Sequence, residues 1–91
     1  MSARDEIEAF LIDINPEALF ADGFDDALIG IVDRFGMEPV ALYDRDRCLA
    51  VLVRENGMTE SQAEEYMSFN VEGAWMGEGT PLFCELFKEE R

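Results

Sequence analysis

The sequence predicts an α+β domain. It is a small, mainly antiparallel three-stranded sheet with helices packed on one face, in the order α-β-β-α-α-β. Three observations predict it. Apolar residues recur at helical spacing in three segments, each with end signals. Short β-branched or aromatic runs bounded by Gly and Pro lie between or after them. The 91 residues, almost half of them apolar, suffice for a single small core and not for two.

The elements follow in chain order. Ser2 can cap a first helix, with Asp5 three residues on, and Ile7, Phe10, Leu11 and Ile14 form one apolar stripe. Asn15-Pro16 stops it, because a residue before Pro avoids the α region. "NPEALF" can add one turn with Pro16 at its first position, and Asp22-Gly23 has turn chemistry. "ALIGIVDRFG" (27–36) fits two templates. Phe24, Ala27, Leu28, Ile31 and Phe35 match a helix stripe, but the β-branched "LIGIV" with its central Gly suits a buried strand, which is the reading adopted. "GMEP" then predicts a turn, with "VALYD" (40–44) as the hairpin partner. Asp44 caps the helix "RDRCLAVLVREN", with Cys48, Leu49, Leu52 and Val53 inward and Gly57 as terminator. Thr59 and Gln62 form a capping box for the next helix, Met58 can staple onto Ala63, and Ala63, Tyr66, Met67 and Asn70 share its stripe. "TPLFCELF" (80–87) predicts the last strand. The chain thus divides into an acidic N-terminal helix and turn (1–20), an α+β core (22–87) and a charged tail (88–91), all one domain.

The charge is extreme: 21 acidic residues against 7 basic, no His, and a net charge of −14. Residues 1–33 carry nine acids and only Arg4, and residues 55–91 carry nine with Lys88 and Arg91. Between them, 34–54 hold three acids and four arginines. Such a surface disfavours direct nucleic-acid binding and suits a partner protein with a basic surface, because a field of one sign steers association. The plainer reading of the same acids is a solvated, solubilising surface. The candidate acidic surfaces are Asp5, Glu6, Glu8 and Asp13 on the first helix, Asp22, Asp25 and Asp26 at the turn, and Glu60, Glu64, Glu65 and Glu72 on the last. No apolar run is long enough for a membrane span, and "MSARDEIEAF" lacks the features of a signal peptide, so a cytoplasmic protein is expected.

Lack of His removes the usual general base and the Ser-His and Cys-His nucleophile pairs, so the chain reads as a non-enzyme without cofactor. Cys48 and Cys84 sit in apolar stretches and read as buried reduced thiols. Asp22, Asp25 and Asp26 surround Gly23, yet the calcium-loop spacing is absent and no metal site is expected. Arg45 and Arg47 open a helix, where two guanidinium groups and free amides can hold an anion. That makes a small-ligand module for an anionic metabolite or nucleotide the alternative function. In "FNVEGAWMGEGTPLF" (69–83), the glycines follow a helix instead of opening one, so no phosphate loop is formed. The expected role is a clasp: Asn70 buried and bonded to the loop backbone, Gly73 ending the helix, and Trp75 packed over the loop.

The blocks "DGFDDAxIGI", "YDxxxCLxxL", "GMTxxxAxEY" and "FNVxGAWxGExTPxF", spread from Asp22 to Phe83, resemble a family of small uncharacterised proteins of tailed phages and prophages. The acidic N-terminal helix lies outside the resemblance. It implies a phage setting and no particular activity. With the charge, it leads to a phage accessory protein that binds a host protein, with counter-defence by an anti-CRISPR-like or DNA-mimic inhibitor as its sharpest form. A homo-oligomeric structural or regulatory protein, such as a homodimer, is a further alternative, because a three-stranded sheet leaves edges to be covered.

Overall fold

Asp44 ends a strand and starts a helix in one residue. Its extended backbone closes the strand, while its carboxylate accepts hydrogen bonds from the amides of Asp46 and Arg47. That junction organises the computed structural model, which describes residues 3–74 and 76–87. The Ser2 cap, Trp75 and the 88–91 tail lie outside the described residues.

Helix α1 (Ala3–Ile14) is followed by a single turn at Asn15–Ala18 and a short 3-10 turn at Asp25–Ala27. Strands β1 (Leu28–Arg34) and β2 (Met37–Asp44) form a hairpin, α2 (Arg45–Asn56) and α3 (Glu60–Tyr66) follow, and β3 (Leu82–Cys84) closes the sheet. The architecture is α+β in the expected order. In the sheet order β1-β2-β3, β1 pairs antiparallel with β2 while β3 lies parallel to it. The segment at 24–35 is a strand after one 3-10 turn, as its β-branched run requires.

The hairpin turn falls earlier than "GMEP". It is the two-residue Phe35-Gly36 connection, with Gly36 at φ +75°, and Met37 already pairs with Arg34. Pro39 is thus inside the central strand, where a missing N–H is tolerated only at an irregularity. The register shifts there, between Val32 and Arg34 on the facing strand.

The register puts Leu28, Ile31, Ala41, Tyr43 and Phe83 on one face of the sheet. Leu11 of α1, Cys48, Val51 and Leu52 of α2, and Ala63 of α3 join Leu28, Ala41 and Tyr43 in one buried cluster, so all three helices cover that face. Helix α1 is therefore part of the core and not an appendage to it. Its inward row is Ile7, Leu11 and Asn15, at spacing i, i+4. Phe10 (57% exposed) and Ile14 (39%), expected on the buried stripe, sit on its outer shoulder.

The caps at the helix ends are those their residues favour. Thr59 and Gln62 form a reciprocal capping box, and Gly57 ends α2 in the left-handed conformation at φ +69°. Beyond Tyr66 the helix widens into a π turn, Met67–Val71, closed by the Glu72 amide on the Met67 carbonyl at 2.7 Å. No helix among the described residues is long and apolar enough to cross a membrane.

Candidate functional site

The π turn overturns the expected clasp. After the buried Ala63 and Met67, a continuing α-helix would turn Asn70 inward at i+3. A π turn rotates less per residue, so the next inward position is Val71, partly buried against the core, and Asn70 is exposed. Asn70 makes no side-chain hydrogen bond among the described residues. Gly73 does follow the helix end, and a Cβ there would meet the Ser68 carbonyl at 3.0 Å.

The polar clasp is built elsewhere, on Asn15. Its amide donates to the Pro39 carbonyl at 2.8 Å and its side-chain oxygen accepts from the Glu17 amide at 3.2 Å, which ties the end of α1 to the central strand. The glycine loop has its own lock. The Thr80 hydroxyl donates to the Gly77 carbonyl at 2.6 Å and accepts from the Met76 amide at 2.8 Å. The Gly79 carbonyl accepts from the Leu19 amide at 3.0 Å, and Arg34 donates to the Glu78 carbonyl at 2.9 Å. Asn15 was missed because Asn-Pro after a helix reads as a stop signal, whereas its burial depends on a strand far along the chain.

The proposed anion site does not form. The Arg45 Nε–H lies 3.0 Å from both carboxylate oxygens of Glu72, and Nη2 donates to Glu64 at 2.9 Å. Hydrogen bonding to Glu64, then to Glu72, raises the Arg45 pKa against its partial burial. With two carboxylates on one guanidinium the cluster is net negative and disfavours a further anion. Arg47 lies 3.6 Å from the Asp44 carboxylate with its side chain 61% exposed, so the pair does not converge on one point.

The other arginines are also engaged. Arg4 pairs with Glu8 and Asp25 and lies over the Phe20 ring at 4.8 Å. Arg54 pairs with Asp26 and Glu55, and Arg34 bonds the Glu38 and Glu78 carbonyls. Asp25 and Asp26 are therefore turned to separate arginines. Among the described residues no three acids, thiols or imidazoles are grouped to hold a metal ion.

Of the candidate acids, Glu8, Asp25, Asp26, Glu64 and Glu72 are thus drawn into internal pairs, each worth about 0–1 kcal/mol where exposed. Glu6, Asp13, Asp22, Glu60 and Glu65 are exposed without an arginine partner among the described residues, and Asp5 is exposed beside them. Each described arginine lies within ion-pair or hydrogen-bond reach of a group in the chain, although Arg47 and Arg54 stay largely exposed, and most of the outward charge belongs to the acids.

Both cysteines are free. Cys48 is fully buried, and burial, then the Asp44 and Glu72 carboxylates, push its thiol up to about 12. Cys84 is only half-buried, which corrects the expectation of two buried thiols, because the short edge strand β3 is covered on one side only. In native protein a thiol reagent should label Cys84 first and Cys48 only on unfolding. Mass spectrometry of the modified chain checks this. Equal, fast labelling of Cys48 would remove it from the core.

The same shift gives a pH dependence. The folded Cys48 pKa lies above the unfolded value, so its contribution is complete below about 8.5 and is lost as pH rises toward the folded value. Tyr43, raised mainly by burial, acts in the same direction. Denaturation midpoints should fall between roughly pH 9 and 12, and less so in a Cys48→Ala variant measured against its own neutral-pH value.

No family model, curated protein or solved structure matches this chain.

Proposed function

We propose that this is a non-enzymatic acidic binding protein of a phage or prophage that docks on a basic surface of a host protein in the bacterial cytoplasm. Counter-defence, by occupying the nucleic-acid-binding surface of a CRISPR effector or similar enzyme, is its most specific form. The observation that carries this reading is the charge arrangement: Arg4, Arg34 and Arg45 held by carboxylates and carbonyls of the chain, and a set of exposed acids with no arginine partner among the described residues. A basic groove evolved for phosphates meets carboxylates without internal competition. The non-enzymatic part is supported by the chain's lack of His and by a Cys48 thiol held far from the thiolate range.

The test uses the acids that have no arginine partner among the described residues. Glu6, Asp13, Asp22, Glu60 and Glu65 are converted together to amides, which leaves the Arg4, Arg45 and Arg54 pairs intact. For a partner isolated from host lysate, affinity should fall steeply with salt and should drop at least ~10-fold in the variant, with circular dichroism unchanged. Full affinity of the folded variant for that partner overturns the reading.

A further inference from the structure

The π turn that exposes Asn70 also exposes its neighbours. Phe69 is 74% exposed, Tyr66 37%, and Met76 in the following loop 70%. These side chains border two depressions that share Tyr66 and Asn70. One is a recess of about 380 Å³ floored by Phe20, Phe24, Val71 and Phe83, with Asp22 at its edge. The other is shallower and runs past Met58 and Phe69 to Glu65. The result is one apolar strip lined by Asp22 in one depression and Glu65 in the other, with Asn70 shared between them, and none of the three has a side-chain partner among the described residues.

We infer that this strip docks an extended basic segment of the partner, an aromatic or aliphatic side chain entering the recess while flanking Lys or Arg residues meet Asp22 and Glu65. The inference rests on the acidic-binder reading and names the contact within it. The occupant follows from the charges. A second copy of a chain carrying −14 would bring carboxylates against carboxylates, whereas a cationic segment meets its complement at both ends. The apolar floor supplies a pocket for one anchoring side chain, which the charged periphery cannot. Asn70 presents both a donor and an acceptor between the depressions, the pattern needed to bond a peptide group of a segment lying across it.

The experiment is an amide chemical-shift titration of the full chain with three short synthetic peptides. One carries Leu-Phe between Lys and Arg residues, the second replaces Leu-Phe by Ser-Ser at the same charge, and the third keeps Leu-Phe and replaces the cations by Gln. The first should bind at least ~10-fold more tightly than either other, with shifts at Tyr66, Asn70, Val71 and Phe83. Met76→Lys and Asn70→Ala, both at exposed positions, should each weaken it while the melting curve stays unchanged. Equal binding of the two cationic peptides overturns the recess as anchor site and leaves the acidic-field reading standing. Equal binding of the two Leu-Phe peptides overturns the cationic occupant. If neither cationic peptide binds at low salt, the inference fails together with the reading beneath it. Dimerisation that shifts these same residues at rising protein concentration without peptide overturns the occupant in favour of a second copy.

Discussion

Gly79→Ala should destabilise the fold by about 3 kcal/mol or more, at the upper end of overpacking costs. A Cβ at this position would stand 2.2 Å from the Glu17 carbonyl oxygen and 3.1 Å from its carbon. Those are backbone atoms, so no side chain can rotate away. The Asn15–Ala18 turn or the glycine loop must move, which strains the Leu19 amide bond to the Gly79 carbonyl and, through Glu78, the anchor of Arg34. Gly77→Ala is the informative control. Its cost comes from a backbone at φ +97° and not from a collision, since nothing lies within 4 Å of the added carbon. It should lose about 1–2 kcal/mol. Thermal melts of the two variants check the order, and a Gly79→Ala midpoint at or above that of Gly77→Ala would mean that the loop does not press on the turn.

Tyr43→Ala should cost about 3–5 kcal/mol. The ring is fully buried on the central strand and stacks on Phe83 with centroids 5.4 Å apart. Its removal opens a cavity in the buried cluster beside Phe83. Tyr43→Phe separates the polar part. The Ala21 amide donates to the Tyr43 hydroxyl at 2.8 Å, and deleting that oxygen leaves the N–H without its partner, for about 1–2 kcal/mol. The Ala21–Phe24 segment would loosen first, which amide hydrogen exchange reads directly. Exchange at Ala21 unchanged in Tyr43→Phe would show that the hydroxyl does not hold this loop.

What the sequence alone determined is most of what neighbours within about one helical turn govern, the Phe35-Gly36 hairpin turn and the π turn at Met67–Val71 being the exceptions. Asp44 at an N-cap, the Thr59–Gln62 box, Gly57 beyond a helix and Pro16 after Asn15 act through bonds to adjacent backbone, so their residue types suffice. Periodicity likewise marked the helices, and β-branched or aromatic runs the strands, in the order observed. Only the tertiary structure decided which amide is buried and which arginine is free. Asn70 and Asn15 both lie at helix ends on apolar stripes. A π turn carries one outward, while the central strand's Pro39 carbonyl receives the other. Arg45 reads as an open cation at a helix start until Glu64 and Glu72, on the next helical segment, are folded against it. Gly79 reads as one glycine among several until the turn at Glu17 lies against it. The Asn15, Arg45 and Gly79 contacts depend on packing between segments distant in the chain, which no local propensity encodes, while the π turn at Asn70 is a local departure that α-helical spacing does not signal.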